Sequence, residues 1–365
     1  MLFRQGFRIA GRLSCSLLAI LGLFLAGCES QSFSAKQTGD SPRGEETPCP
    51  SAAGPITGPI IVGEDTTLLS MQENGENVQQ LMQVPLDQWV RDPAWSPDGQ
   101  TLAFSLSIPS SDPAMSGLPV GVICGIDRAT GRGRLLARAP EERSSLREPS
   151  WTPDGQALLV AHYRPRFDEQ QRFVGDDITL ARYDLATHQL QPLIENAISP
   201  APAPDGRRLA YVQLDPTTFA AYLMLADADG QNAQPLLAGK EGFAAVSVPR
   251  WSPDGQRLVF VTRDSSTGSR DSAPRQRSLL ERLFGVAVAE AHGAPADLWV
   301  LHVERGQLEQ IARRLDDPQA AWSPAGDQLA YTLGEGGVVL LDLARGQQRL
   351  LTERGNYGGI AWAPR

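Results

Sequence analysis

Lysine is almost missing from this chain. Of 33 basic residues only Lys36 and Lys240 are Lys, and the rest are Arg. Histidine is scarce too. His162, His188, His292 and His302 are scattered, and none stands at ligand spacing from another His or from a Cys. That pattern argues against a metal centre of imidazole and thiolate, and no cofactor is expected. A positive balance is also missing. The formal net charge is −9, and the first 27 residues hold Arg4, Arg8 and Arg12 without an acid, so the remainder is more acidic still. Such a chain is not expected to hold nucleic acid, whose binding rests on neutralising phosphates. No Gly-x-Ser-x-Gly elbow, His-Glu-x-x-His pair or phosphate-binding loop occurs. The enzyme classes those motifs mark therefore find no support.

What the chain has instead is a repeat. Trp95 opens WSPDGQTLAF, Trp151 opens WTPDGQALLV, Trp251 opens WSPDGQRLVF and Trp322 opens WSPAGDQLAY. Pro202 opens a copy without the Trp, PAPDGRRLAY, and Trp362 lies in IAWAPR, the first half of a further copy. Each copy reads as a hairpin. The Trp ends one short strand and offers a large apolar face for packing between sheets. Pro presets φ, the Asp bonds to nearby backbone N–H groups, and Gly accepts positive φ. A second strand rich in Leu, Ala, Val, Phe and Tyr follows. Asp98, Gly99, Asp154, Gly155, Asp205, Gly206, Asp254, Gly255 and Gly326 are accordingly read as repeat architecture, not as catalysts. Repetition at this period points to a propeller, a solenoid or an array.

These residues resemble the TolB-like propeller repeat, whose hallmark is a Pro-x-Trp-Ser-Pro-Asp-Gly hairpin. The same repeat type occurs in the propellers of some prolyl-oligopeptidase-like peptidases. The resemblance covers almost the whole chain after the N-terminal linker. It implies an all-β fold, a β-propeller filling residues 55–365. Residues 60–63, 67–72 and 77–84 read as three strands lacking a preceding hairpin strand, and IAWAPR is such a strand lacking its partners. The two ends complete each other, which gives six blades and a ring closed by the C-terminal strand. A monomer is expected.

Residues 1–27 read as a lipoprotein signal peptide. Three arginines precede a short apolar run over 17–26, too short to span a bilayer comfortably, and Leu-Ala-Gly-Cys ends the segment. That ending resembles the bacterial lipobox, which implies lipid attachment at Cys28 and an exported, membrane-anchored protein. An uncleaved anchor or an ordinary signal peptide is the alternative. Residues 28–54 are polar and read as a flexible tether. An exported chain can oxidise Cys49 and Cys124 to a disulfide, although Cys124, in an apolar strand, would equally serve as a small buried hydrophobe.

The extra length of the repeats falls between the second and third strands, here the B–C connections. These run over 107–119, 164–177, 215–219, 264–295 and 334–337. In a propeller they share one face, and insertions mapping to one face mark a binding face. Asp176 and Asp177 fall there and would suit a cation or a basic partner, or stand as solvated loop charges. Residues 277–292 read as a helix with Leu283 and Phe284 in its apolar stripe, a helical insertion in one blade. The stripe would lie on the rim or meet a partner. The functional expectation is a protein-interaction or scaffolding module that binds an envelope protein or polymer through this face. The alternative is a hydrolase, or a small-ligand or polymer-binding sensor, with its site at the mouth of the central channel.

Overall fold

The computed structural model describes residues 49–364 apart from 111, 113–114, 116–117, 239, 241–242, 244, 264–294, 335 and 357. Cys28, most of the tether, Leu283, Phe284 and the expected helix therefore lie outside the described residues. The described strands group into six four-stranded antiparallel sheets, one per blade. The chain starts with β1 (Ile60–Glu64), β2 (Thr67–Met71) and β3 (Gln79–Gln83). Blade 2 follows as β4 (Trp89–Trp95), β5 (Thr101–Pro109), β6 (Pro119–Asp127) and β7 (Gly133–Ala137). Blade 3 is β8 (Ser145–Trp151), β9 (Ala157–Phe167), β10 (Phe173–Asp184) and β11 (Leu190–Glu195). Blade 4 is β12 (Ala197–Pro202), β13 (Arg208–Leu214), β14 (Ala221–Asp227) and the two-residue β15 (Gln234–Pro235). Blade 5 is β16 (Val246–Trp251), β17 (Arg257–Arg263), β18 (Pro295–His302) and β19 (Gln307–Asp316). Blade 6 is β20 (Ala320–Trp322), β21 (Gln328–Thr332), β22 (Val338–Asp342) and β23 (Gln347–Thr352). Last comes β24 (Ile360–Trp362), which pairs antiparallel with β1 through Ile60↔Trp362, Ile61↔Ala361 and Val62↔Ile360. The ring closes by joining the two ends of the described chain, as the strand count predicts.

The core is divided among the interfaces between blades. Six buried apolar clusters occur among the described residues, each drawn from two neighbouring sheets. The alternation of a strand explains this directly, because successive side chains point to opposite faces. In β1, Ile60 and Val62 pack toward blade 6 and Ile61 packs toward blade 2. A strand buried on both faces reads as a continuous apolar run, as in Ile60-Ile61-Val62.

Two boundaries differ from the sequence expectation. The charged stretch 164–177 is mostly strand: β9 runs on to Phe167 and β10 starts at Phe173, leaving a short turn. Backbone pairing does not need apolar side chains when a hairpin stands out into solvent. The tether, expected to run to residue 54, instead joins the domain from Cys49. Cys49 is bonded to Cys124 with Cα atoms 5.5 Å apart, and both are buried. Ala52 N–H donates to the Gly131 carbonyl, Ala53 N–H to Leu81 and Ile56 N–H to Arg128. Backbone bonds and a disulfide hold this segment, neither of which its polar composition displays.

Candidate functional site

The Trp-Ser-Pro-Asp-Gly turn sets the geometry. Ser96 Oγ donates to Asp98 Oδ1 at 2.6 Å, and Gln100 N–H donates to the same oxygen at 3.0 Å. These two bonds hold the Asp98 carboxyl below its ordinary pKa. Asp154 repeats the pattern with Thr152 and Gln156. Asp254 repeats it with Ser252 and Gln256, and Asp205 keeps the Arg207 N–H bond. In WSPAGD the Asp is displaced, and Asp327 accepts from Ser323 Oγ at 2.8 Å instead. The turn glycines Gly99, Gly155, Gly206, Gly255 and Gly326 have φ of 65°, 69°, 69°, 66° and 73°, which L side chains rarely adopt.

Each turn places its Trp as a fastener between blades. Trp151 Nε1 donates to the Ala94 carbonyl, Trp251 to Ala201 and Trp322 to Arg250, at 3.1, 2.9 and 3.1 Å. In every case the acceptor belongs to the inner strand of the preceding blade, one residue before that blade's own Trp position. Trp95 bonds to Pro59, whereas Trp362 Nε1 is buried without a partner. Arginine covers the outer side. Arg208 lies 4.8 Å over the Trp251 ring while its Nη2 donates to the Gly255 carbonyl, and Arg257 does the same to Trp322 and Gly326. A planar guanidinium can stack and donate together, which an ammonium cannot.

In blades 2 to 5 the inner strand is kinked three residues before the Trp position. Pairing with the second strand slips between Arg91 and Ala94, Arg147 and Ser150, Ile198 and Ala201, and Ser247 and Arg250. Within these bulges Asp92, Glu148, Ser199 and Val248 all have positive φ, and each precedes a Pro. Bulges of this kind re-aim a side chain, and positive φ outside glycine is uncommon. The re-aimed groups meet. Glu148 Oε2 accepts from Ser199 N–H at 2.6 Å and Ser199 Oγ at 2.9 Å, while Tyr163 Oη donates to Oε1 at 3.2 Å. Ser105 Oγ donates to Asp92 Oδ2 at 3.1 Å and accepts from Glu148 N–H at 3.0 Å. Blades 2, 3 and 4 are thereby tied through polar groups along the channel.

Burial raises the pKa of Asp92 against the pull of Arg91, Arg250 and Arg147. Burial also raises Glu148, and the nearby Asp92 charge adds to it. Burial lowers Arg250, opposed by the charges of Asp92 and Glu148. Toward the Trp end, the six inner strands line an open cavity of about 400 Å³, walled mainly by Trp, Pro and Ala together with Arg250. Among the described residues, no group of three or more His, Cys, Asp and Glu is placed to hold a metal ion.

The other face carries the B–C and D–A connections. Among the described residues, five of the seven exposed large apolar side chains lie there: Leu86, Trp89, Val174, Phe219 and Tyr222. Leu86 and Phe219 are 86% and 81% exposed, so they are wholly presented to solvent. Asp176 and Asp177 are neighbours on β10 and so point to opposite faces of the hairpin. Asp177 pairs with Arg166 at 3.2 Å in the open. Asp176 has its pKa raised by burial, opposed by Arg147 and Arg166. The Asp177 charge also raises Asp176. Sequence reading missed Asp92, Glu148 and Arg250, because they precede the turn motif. The recurrent x-Pro pair in DPAW, EPSW, SPAP and VPRW was the available signal.

No protein-family model matches the chain. The fold does match. The crystal structure of TolB from Acinetobacter baumannii superposes with a TM-score of 0.60 at 18% identity, covering 86% of this chain and 68% of that one. The fold is that of a TolB-like β-propeller. A putative TolB from Agrobacterium tumefaciens gives a TM-score of 0.51 at 16% identity, covering 80% of this chain and 87% of that one. A chain of a nidogen/laminin complex gives 0.55 at 12%, covering 83% and 97%, so the TolB-like propeller shape is shared well beyond TolB. By sequence, TolB of the Tol-Pal system from Bordetella pertussis is 37% identical over 93 residues, 26% of this chain and 19% of that protein. An uncharacterized peptidase of Bacillus subtilis is 24% identical over 200 residues, 52% of this chain. The matched stretches span less than a third of either relative, 19% and 29% of their lengths.

Proposed function

We propose that this protein is an exported, lipid-anchored propeller that binds an envelope protein through the face carrying the B–C connections. The observation that carries the reading is the crowding of exposed apolar side chains on that one face. Aromatic and large aliphatic groups held on rigid hairpins are what a partner's pockets recognise. The TolB relatives are by name parts of the Tol-Pal system, which supports an envelope partner. Lipid at Cys28 would keep the domain at the membrane surface. The test is a Leu86→Ser/Phe219→Ser double variant of the full chain, cross-linked in cells beside wild type. Recovery of the partner should fall at least tenfold while the melting temperature stays unchanged, since both side chains are solvent-facing. Equal recovery would remove this face from the account. Mass spectrometry of the same material should find an acylated Cys28 as the first residue.

A further inference from the structure

We propose that the Trp end of the channel binds a small organic carboxylate, with Arg250 as its charge partner. The position itself is the first argument. One residue before each Trp position the inner strands carry Ala94, Ser150, Ala201, Arg250, Ala321 and Ala361. Five are small, four of them (Ala94, Ser150, Ala321 and Ala361) border the cavity, and Arg250 borders it with them. The second argument is the guanidinium's state. Among the described residues it makes one hydrogen bond, Nη1 to the Pro249 carbonyl at 2.9 Å, and no ion pair. Arg has five N–H donors and no acceptor, so four remain for a ligand or water. Asp92 and Glu148 temper its charge from across the channel without bonding to it. Arg91 and Arg147 also stand near Asp92, so its carboxyl is offset by other cations besides Arg250.

The third argument is the lining. The open space of about 400 Å³ is bordered mainly by Pro, Ala and Trp residues. It lies in the range of small-molecule pockets, which pair apolar walls with a few polar groups that fix orientation. An apolar body fits the walls, and a planar carboxylate fits the forked guanidinium. The site lies at the opposite end of the channel from the face proposed for protein binding, so either reading can fail alone.

Five of the lining residues are Trp, so the site reports on itself by fluorescence. The full chain would be titrated with cyclohexanecarboxylate and with cyclohexanecarboxamide, neither of which absorbs where Trp does. The acid should change the emission saturably and the amide should not. Arg250→Gln should weaken the acid at least tenfold. Because that variant also removes one of the cations near Asp92, Ala94→Leu provides an independent check. It fills the cavity without touching Arg250 and should abolish the response at an unchanged melting temperature. An equal response to acid and amide, retention of binding in Ala94→Leu, or no saturable response to the acid would each overturn the proposal. A capped tripeptide acid and its amide complete the series. A response confined to the peptide acid would overturn the small-molecule assignment.

Discussion

At the residue scale, the Trp of the repeat has two roles that its recurrence alone does not separate. It fills the interface between blades, and its indole N–H closes a bond to the preceding inner strand. Trp251 and Trp322 do both, and Trp362 does only the first. Replacing Trp by Phe keeps most of the ring and removes the donor. Trp251→Phe should therefore cost about 1 kcal/mol more than Trp362→Phe, the usual net value of a hydrogen bond. Urea unfolding of the two variants measures the difference, and equal losses would show that the bond contributes nothing. The Trp, the Pro, the Asp and the Gly were all legible in the sequence, because each repeats at a fixed offset. The partner of the indole was not, since nothing in one blade's sequence names a carbonyl of the previous blade. The covering arginines were hidden for the same reason: Arg208 belongs to blade 4 and covers the Trp of blade 5.

At the element scale, the bulged inner strand decides what faces the channel. Asp92 and Glu148 have carboxyl groups whose folded pKa is raised, first by burial. Such a group binds more protons folded than unfolded over the interval between its two pKa values, so stability falls as pH rises through it. Asp92→Asn removes one of these groups and keeps an acceptor for Ser105 Oγ. Relative to wild type, the variant should gain stability on going from pH 4 to pH 7. Thermal unfolding at both pH values gives the sign, and a relative loss across that range would mean that Asp92 is favoured as the anion. The bulges were only partly legible. The x-Pro pairs stand in the sequence, but proline also marks plain turns, and a shift of strand register leaves no compositional trace. The B–C extensions among the described residues fall between second and third strands as expected, yet the strand character of 164–177 was masked by charge in Arg164, Arg166, Asp176 and Asp177. Exposed hairpin residues answer to water and backbone pairing, so apolar patterning cannot find them.

At the scale of the whole molecule, closure by β24 links the end of the chain to β1. The fit there is close: Gly63 N–H donates to the Gly359 carbonyl at 2.9 Å, and a Cβ on Gly63 would meet the Gly358 oxygen at 2.5 Å. Removing residues 360–365 takes away an inner strand and the buried Trp362, whose loss alone should cost roughly 3–5 kcal/mol. A fall of several degrees in melting temperature is expected, and an unchanged value would contradict closure as a source of stability. Ring closure was legible because the missing strand at one end matched the surplus strand at the other. The exposed apolar face was not, since Leu86 and Phe219 look like core residues until the connections that carry them are placed.

The most direct test of the binding account is hydrogen–deuterium exchange of the domain, alone and with the partner recovered by cross-linking. Protection should appear in the peptides spanning 84–91, 172–178 and 214–223, which share the face of the B–C and D–A connections, while the Trp-Ser-Pro-Asp-Gly turns exchange as in the free protein. Protection confined to those turns, with 84–91 and 214–223 unchanged, would contradict it.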